Sequence, residues 1–325
     1  MNRKRWQPGP ALAAAGGRIQ PVARLARIAR HKQLRAAVRD FLLEHHVPAL
    51  LRRGGEEPAT RVAMFHMGRC GSTVLGEMLG AQGEIFWAGE IFEDMPGRYG
   101  SLAREPQAVE RILRRSMGEP FSLRSLVRAD QYPRHYRMYA FETKYLREQH
   151  LRPGWIGLDL PNYLALLDAH RFDRFIVLHR HNYLRMLVSR AVGRSTGTWH
   201  SRAPAAGPAQ VELPVANFTW GSWHGSLLEC LRDLDAQYAR LCALLDSRQV
   251  LHLTYEEHIS ADPTVAYRAV CGFLGLQAPA VAMHLRKTNP FPLQQSVRNW
   301  DEVVGALSDS EFAWMLTHEQ PPPAA

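Results

Sequence analysis

The chain has 325 residues, of which 46% are hydrophobic and 22% charged, and its formal net charge is +9 at pH 7. The apolar fraction is large enough to fill a core, which excludes a disordered chain, and 4 cysteines are too few for a disulfide scaffold. No apolar run approaches the roughly 20 residues of a membrane-spanning helix, and no apolar segment has the form of an export signal. We therefore expect a cytoplasmic protein with reduced thiols, and the cysteine spacing indicates no metal site.

The positive charge is concentrated at one end of the chain. Residues 1–60 contain 12 Lys and Arg against 4 Asp and Glu, whereas residues 61–325 contain 28 against 27. A basic surface over the whole protein, as nucleic-acid binding requires, is therefore not supported. We expect no nucleic-acid partner.

The basic segment has the pattern of an amphipathic helix. Between residues 21 and 51, apolar residues recur at helical spacing among arginines, and residues 53–58 read as a linker. Two interpretations remain open: a helix packed on the body with its arginines in water, or peripheral contact with the anionic inner membrane surface. We divide the chain into an arm and linker, 1–57, and a domain, 58–325.

The body alternates strand and helix patterns. Strands are predicted at residues 61–67, 138–145, 174–179 and 249–254, and helices after the loop at 67–73 and at 161–170, 182–194 and 262–274. Such alternation predicts an α/β fold with a mostly parallel central sheet flanked by helices.

The loop after the first strand has the composition of an anion site. Backbone N–H groups at a helix start point outward, and the helix dipole adds partial positive charge there. Gly68 and Gly71 allow a close backbone approach, while Arg69, Ser72 and Thr73 add donors. No Lys precedes Ser72, so the loop differs from that of nucleoside triphosphatases.

Cys70 lies inside this loop. A cysteine at a helix N-terminus can have a lowered pKa, but a phosphatase loop would also need an Arg a few residues later, and residues 71–76 contain none. We therefore place Cys70 with the anion-binding loop, and a nucleophilic thiol is the less favoured interpretation.

Two segments of the chain resemble motifs of the sulfotransferases. Residues 65–75, Phe-His-Met-Gly-Arg-Cys-Gly-Ser-Thr-Val-Leu, are similar to the 5′-phosphosulfate loop of that family. Residues 175–189 resemble its 3′-phosphate segment, in which an Arg ends a strand and a Ser lies in the next helix, although here Ser189 follows Arg180 by one residue more than the familiar spacing.

Two further matches follow in the family's order. Residues 253–258 and 273–276 resemble its Tyr-Glu and Phe-Leu-Gly elements, and residues 285–288 and 297–302 resemble the basic and Asn-Trp elements that close over the nucleotide. The resemblance covers about residues 61–307 and points to the carbohydrate and bacterial type of the family.

The resemblance implies a P-loop-like three-layer fold and the cofactor 3′-phosphoadenosine 5′-phosphosulfate (PAPS), without a metal. A donor with phosphate at two ends needs two separate anion sites. The residues implied for the 5′ end are Arg69, Cys70, Gly71, Ser72 and Thr73, and those for the 3′-phosphate are Arg180, Ser189 and Lys287. Tyr255 is implied for the adenine region.

The resemblance also implies a catalytic base, which acts together with Arg69. Residues 86–92, Phe-Trp-Ala-Gly-Glu-Ile-Phe, are similar to the pattern of carbohydrate sulfotransferases in which a Glu follows an aromatic segment. Glu90 is therefore the predicted base, and Glu142 and His66 are its rivals. Lys144 either holds a substrate or pairs with Glu142.

The expected reaction is sulfuryl transfer from PAPS to a hydroxyl of a carbohydrate or glycolipid acceptor. Aromatic side chains that could stack on sugar faces are Trp87, Tyr99, Trp155 and Trp199. Two alternatives stay open: a P-loop-like kinase, and a non-catalytic nucleotide-binding or membrane-adaptor protein on the same fold.

Overall fold

A computed structural model describes residues 60–99, 103, 107–118, 136–203, 205 and 207–318. The predicted arm and linker, residues 1–57, lie outside the described residues, so membrane contact through residues 21–51 stays a prediction. Within the described residues, no helix is long and apolar enough to cross a bilayer.

Five parallel strands form the central sheet, and two short strands form a separate hairpin. In chain order the strands are β1 (Thr60–His66), β2 (Ile85–Trp87), β3 (Met138–Lys144), β4 (Arg174–His179), β5 (Phe218–Trp220), β6 (Trp223–Gly225) and β7 (Val250–Thr254). The sheet order is β2-β3-β1-β4-β7, and β5 pairs with β6 in antiparallel fashion.

Helices connect the strands and cover the sheet. They are α1 (Ser72–Gly80), α2 (Met95–Tyr99), α3 (Ala108–Gly118), α4 (Leu160–Ala169), α5 (Tyr183–Thr196), α6 (Leu227–Leu245), α7 (Tyr255–His258), α8 (Thr264–Phe273), α9 (Leu293–Ser296) and α10 (Trp300–Leu307), followed by a 3-10 turn, Ala313–Leu316. The predicted α/β fold with a mostly parallel central sheet flanked by helices is confirmed.

Burial explains why β1 occupies the middle of the sheet. Residues 62–66 are all buried, as expected for a parallel strand with helices on both faces. The register pairs His66 with Lys144 of β3 on one side and with Leu178 of β4 on the other. The carboxyl ends of these strands therefore lie at one edge, which is where ligands bind in open α/β sheets.

The predicted strands and helices occur at the predicted places, within one or two residues at each end. The longest helix, α6, was not predicted, although the sequence has a helix-start pattern there. Ser226 accepts a hydrogen bond from the backbone N–H of Glu229, and the Glu229 carboxylate accepts one from the backbone N–H of Ser226. This capping box and 19 residues of amphipathic spacing were the available signal.

Asn182 joins three parts of the domain beside the edge. Its side-chain oxygen accepts from the Arg185 N–H and so caps α5, while its amide donates to the carbonyls of Met315 and His318. Its own backbone N–H donates to Glu256 of α7 at 3.1 Å. Asn182 is fully buried, so its own polar groups depend on these partners rather than on water.

We predict that Asn182→Ala lowers the free energy of unfolding by about 2–4 kcal/mol, because it removes a helix cap and leaves buried carbonyls unpaired. Urea denaturation measures the loss. Asp159→Ala is the matched control, since Asp159 caps α4 through one exposed hydrogen bond to the Asn162 N–H. Equal losses in the two variants would contradict the prediction.

Candidate active site

The loop between β1 and α1 turns in the left-handed region. Gly68, Arg69 and Gly71 have φ values of 78°, 54° and 86°. A Cβ on Gly71 would lie 2.4 Å from Cγ2 of Ile259, so this position tolerates only glycine. No side chain caps the start of α1, which leaves its first N–H groups to a ligand.

A cavity of about 960 Å³ opens beside this loop. It is lined by the predicted donor-binding residues Arg69, Gly71, Ser72, Thr73, Arg180, Ser189, Tyr255 and Lys287, and also by Glu90 and Glu142. The structure therefore brings together residues that are up to 218 positions apart in the chain. Cys70 is absent from the lining, because its side chain is fully buried. Burial raises the pKa of that thiol to about 12, which argues against a nucleophilic role.

One end of the cavity is formed by cations around Tyr255. The Arg180 guanidinium carbon lies 4.1 Å from the centre of the Tyr255 ring, and the Lys287 ammonium lies 5.9 Å from it. Arg180 donates to the carbonyl of Arg69, and Lys287 donates to the hydroxyl of Ser260. The Nε of Arg180 is buried without a hydrogen-bond partner among the described residues. This end can accept an anion.

Arg69 connects the loop to the opposite wall of the cavity. Its guanidinium donates to the Ser189 hydroxyl at 3.0 Å, to the Trp199 carbonyl at 2.7 Å and to the Thr288 hydroxyl at 2.6 Å. Arg69, predicted for the 5′ end, and Ser189, predicted for the 3′-phosphate, are thus in direct contact. Burial, and next the charge of Arg180, lower the pKa of Arg69. An anion placed near both guanidinium groups would offset this repulsion.

An acid and base cluster lies at the ends of β1 and β3. The Lys144 ammonium lies 2.5 Å from Glu90 and 2.7 Å from Glu93, and the His150 Nε2 lies 2.8 Å from Glu93 and 3.4 Å from Glu90. Lys144 therefore pairs with Glu90 and Glu93 rather than with Glu142. Glu93 and His150 were missed by the sequence analysis, since their pairing depends on how the loop after β2 folds over β3.

His66 and Glu142 form the buried side of this cluster. The His66 Nε2 lies 3.5 Å from Glu142 and 3.9 Å from Glu90, while its Nδ1 accepts the Gly68 N–H. The imidazole proton is therefore assigned to Nε2. His66 is fully buried, and this burial lowers its pKa to about 3.

The two carboxyl groups beside His66 differ in their protonation. Burial, followed by the charge of Glu90, raises the pKa of Glu142 to about 8. Burial also acts to raise the pKa of Glu90, but the hydrogen bond from His150 and the Lys144 ammonium outweigh it and hold that pKa well below its usual range. At neutral pH Glu142 keeps its proton and Glu90 is ionised.

Two triads of this cluster have the ligand types of a metal site, namely His66 with Glu90 and Glu142, and Glu90 with Glu93 and His150. In the second triad the Lys144 ammonium already supplies the cation between the two carboxylates. The arrangement is that of an ion-pair network, which holds Glu90 ionised at the cavity wall.

Of the four aromatic residues predicted to stack on sugars, Trp199 lines the cavity and is 37% exposed. Trp87 packs against Gly76 of α1. Trp155 donates its indole N–H to the Phe92 carbonyl. Tyr99 likewise donates its hydroxyl to a carbonyl nearby. Trp199 is therefore the candidate that geometry supports.

We predict opposite pH effects of His66 and Glu142 on stability. The folded state keeps His66 neutral, so this residue adds stability as pH rises from about 3 to its unfolded pKa near 6.5. The folded state keeps Glu142 protonated, so stability falls by about 1.4 kcal/mol per pH unit from its unfolded pKa up to about 8. Between pH 6.5 and 8, Glu142 is therefore the one of these two residues that still changes the stability.

Glu142→Gln tests this assignment, because glutamine has the shape of the protonated acid and does not titrate. The free energy of unfolding of the variant, measured by urea denaturation, should increase relative to that of the wild type as pH rises from 6.5 to 8. Glu77→Gln, on α1 outside this cluster, is the control. Parallel pH profiles for the wild type and Glu142→Gln would show that Glu142 is ionised.

Comparisons with known proteins identify the family. A model described as the sulfotransferase family matches residues 62–280. Among solved structures, the chain is similar to a sulfotransferase from Alicyclobacillus acidocaldarius, with 16% identity over 79% of this chain and 96% of that chain and a TM-score of 0.39. It is also similar to a structure of the PezAT chromosomal toxin-antitoxin system of Streptococcus pneumoniae, with 14% identity over 71% of this chain and 86% of that chain and a TM-score of 0.30.

A search of curated proteins finds no match. The family model, in contrast, spans well over half of the chain and includes most of β1, the loop after it, the acid cluster and residues 175–189. The chain belongs to the sulfotransferase family.

Proposed function

We propose that this protein transfers the sulfuryl group of PAPS to a hydroxyl of a carbohydrate or glycolipid acceptor, with Glu90 as general base. The observation that carries the proposal is that one cavity combines an uncapped helix start, a cationic end and an ionised carboxylate. The alternative of a P-loop-like kinase is disfavoured, because the loop lacks the lysine that nucleoside triphosphatases use.

The chemistry of the donor set fits PAPS. Arg180 has a buried Nε without a partner, and the start of α1 has N–H groups without a cap. Arg180 and Lys287 would bind the 3′-phosphate together with Ser189, and Tyr255 lies within the same cation cluster for the adenine. When bound, the phosphosulfate supplies the sulfuryl group that is transferred.

Arg69 has two tasks in this proposal. Its backbone helps to form the left-handed turn that exposes the loop N–H groups, and its guanidinium stays beside Ser189 and Thr288. A fixed cation at this place stabilises negative charge on the phosphate that leaves as sulfur is attacked. The hydrogen bond of Arg69 to Ser189 supports this role, because it keeps the cation beside both proposed anion sites.

Three residues compete for the role of base, and their environments distinguish them. His66 does not line the cavity, and its Nδ1 accepts a backbone N–H. Glu142 lines the cavity but keeps its proton at neutral pH. Glu90 lines the cavity and is ionised, so it can accept the proton of an acceptor hydroxyl at Oε1 or Oε2.

The donor assignment predicts a nucleotide preference. The protein should bind adenosine 3′,5′-bisphosphate more tightly than 5′-AMP, and Arg180→Ala should reduce this difference by about 1.5–3 kcal/mol, as expected for a charged hydrogen bond. Isothermal titration calorimetry measures both affinities. Arg240→Gln is the control, because Arg240 is exposed on α6 and does not line the cavity. Equal affinity of the wild type for the two nucleotides would remove the 3′-phosphate assignment.

The base assignment predicts a selective loss of turnover in Glu90→Gln. Glutamine keeps the shape of Glu90 but cannot accept the proton, so kcat should fall by about 10²- to 10⁴-fold. Binding of adenosine 3′,5′-bisphosphate should stay nearly unchanged, since a base acts in the transition state. Transfer of radiolabelled sulfate from PAPS to saccharide and glycolipid acceptors measures kcat.

Glu142→Gln and His66→Ala are the matched variants for the rival bases. If Glu90→Gln keeps wild-type turnover while one of these two loses it, the base is the other residue and the donor assignment stands. If the wild type binds the nucleotide but transfers sulfate to no acceptor, the protein is a non-catalytic member of the fold.

A further inference from the structure

Three arginines without ion pairs lie near the acid cluster. The arginine cluster consists of Arg152, Arg190 and Arg194, and no member pairs with a carboxylate among the described residues. Another partly buried arginine of the domain, Arg248, does pair with a carboxylate, that of Asp168. Arg194 is exposed, so the missing ion pair matters for Arg152 and Arg190, which are partly buried.

Arg190 is the member that lines the cavity. It follows Ser189 on α5, is half-buried, and shares the cavity wall with Glu90 and Glu93. Its guanidinium carbon lies 4.8 Å from the centre of the Trp220 ring, and Trp220 is itself buried. A guanidinium stacked on an indole is held in place, while the N–H groups in its plane remain able to bind an oxyanion.

A second arginine, Arg152, also stacks on a tryptophan, which lies on a neighbouring loop. The Arg152 guanidinium carbon lies 4.1 Å from the centre of the Trp155 ring, and the Trp155 indole is anchored to the Phe92 carbonyl. Phe92 directly precedes Glu93, so the Trp155 indole is bonded to the loop that carries Glu93 of the acid cluster. Of these two stacked arginines, Arg190 lines the cavity together with Glu90, whereas Arg152 is outside the lining and acts on Arg190 through its charge.

Among the described residues, the positive charge of Arg190 is not neutralised by an ion pair. Burial lowers the pKa of Arg190, and the next cause is the positive charge of Arg194. Glu93 acts in the opposite direction, but its carboxylate is already bound to Lys144 at 2.7 Å and to His150 at 2.8 Å. A half-buried cation without a partner is unfavourable, and an incoming anion relieves that cost.

We propose that the acceptor is an acidic saccharide, whose carboxylate or sulfate group binds Arg190 while the hydroxyl to be sulfated lies at Glu90. Arg152 and Arg194 add positive potential around this contact. A neutral sugar would leave Arg190 without a partner. This inference rests on the proposed function and specifies its acceptor class.

The anion assigned to Arg190 belongs to the acceptor rather than to the donor for a geometric reason. The donor phosphates have their own cations in Arg69, Arg180 and Lys287, which meet around Tyr255 and the loop. Arg190 has no direct contact with these three residues, and the charge of Glu93 in the acid cluster acts on it more strongly than that of Arg69. Loss of Arg190 should therefore affect the acceptor and spare the nucleotide.

The test compares oligosaccharides of glucuronic acid with the matched oligosaccharides of glucose, which carry a hydroxymethyl group in place of each carboxylate. In the presence of adenosine 3′,5′-bisphosphate, calorimetry should show that the wild type binds the acidic saccharide about 10- to 100-fold more tightly. Arg190→Gln should lose most of this preference, whereas affinity for the neutral saccharide and for the nucleotide should stay unchanged. Arg190→Lys, which keeps the charge but not the planar fork, should fall between the two.

Arg240→Gln removes an exposed charge of α6 outside the cavity and controls for net charge. The proposal is overturned if the wild type binds both saccharides equally, if Arg240→Gln matches Arg190→Gln, or if Arg190→Gln weakens nucleotide binding instead. Sulfate transfer separates the two proposals. Transfer to neutral and acidic saccharides with equal kcat/KM keeps the proposed function and rejects this inference. Binding of the acidic saccharide that depends on Arg190, without transfer to any acceptor, rejects the function and with it the acceptor assignment, and leaves Arg190 as an anion site alone.

Discussion

The close approach of the anion loop to the segment after α7 determines how the site is built. A side chain on Gly71 would meet Ile259 at 2.4 Å, and the backbone there has a φ of 86°. The N–H of Ile259 in turn donates to the carbonyl of Tyr255. The start of α1 is therefore locked against the short segment that also carries Tyr255, so the helix start and the cationic end of the cavity keep a fixed relation.

The sheet register accounts for the second half of the site. Glu142 and Lys144 are two residues apart on β3, so both side chains leave the same face of the sheet. The N–H of Glu142 donates to the carbonyl of Gly89, which holds the residue after it, Glu90, beside the strand. Lys144 is one of two lysines after residue 60, and it lies between two carboxylates in an arginine-rich domain. A compact ammonium suits this place, where a planar guanidinium would need more room.

The sequence was sufficient to predict the features that depend on local pattern. The buried strands β1 and β4 are continuous apolar runs, and the loop between β1 and α1 is recognisable from its glycines and hydroxyl side chains. The pairing partners could not be predicted in this way. The short separation of Glu142 and Lys144 in the sequence suggested an ion pair between them. In the structure, the loop after β2 instead brings Glu90 and Glu93 to the Lys144 ammonium, which pairs with these two carboxylates.

The same limit applies to the cations. Arg190 has no distinguishing sequence context, since 36 arginines occur in the chain, and its significance comes from the missing carboxylate partner and from the Trp220 platform. Arg69 and Ser189 were assigned to opposite ends of the donor, but only the fold shows that α5 returns to the loop closely enough for a hydrogen bond. Contacts between segments more than a hundred residues apart follow from strand order, which the strand and helix patterns alone do not specify.

The ion pair between Glu90 and Lys144 would couple anion binding in the cavity to the proposed base, Glu90. A carboxylate whose pKa is held low is ionised but binds a proton weakly, so the contact with Lys144 lowers the strength of Glu90 as a base. Lys144 also lines the cavity, where an anion within its reach competes with Glu90 for the ammonium. Such competition weakens the stabilisation of the carboxylate and raises the pKa of Glu90. With Glu90 as the proposed base, its proton affinity would therefore increase when the cavity contains an anion, which in the proposed reaction is the state in which a hydroxyl proton has to be removed.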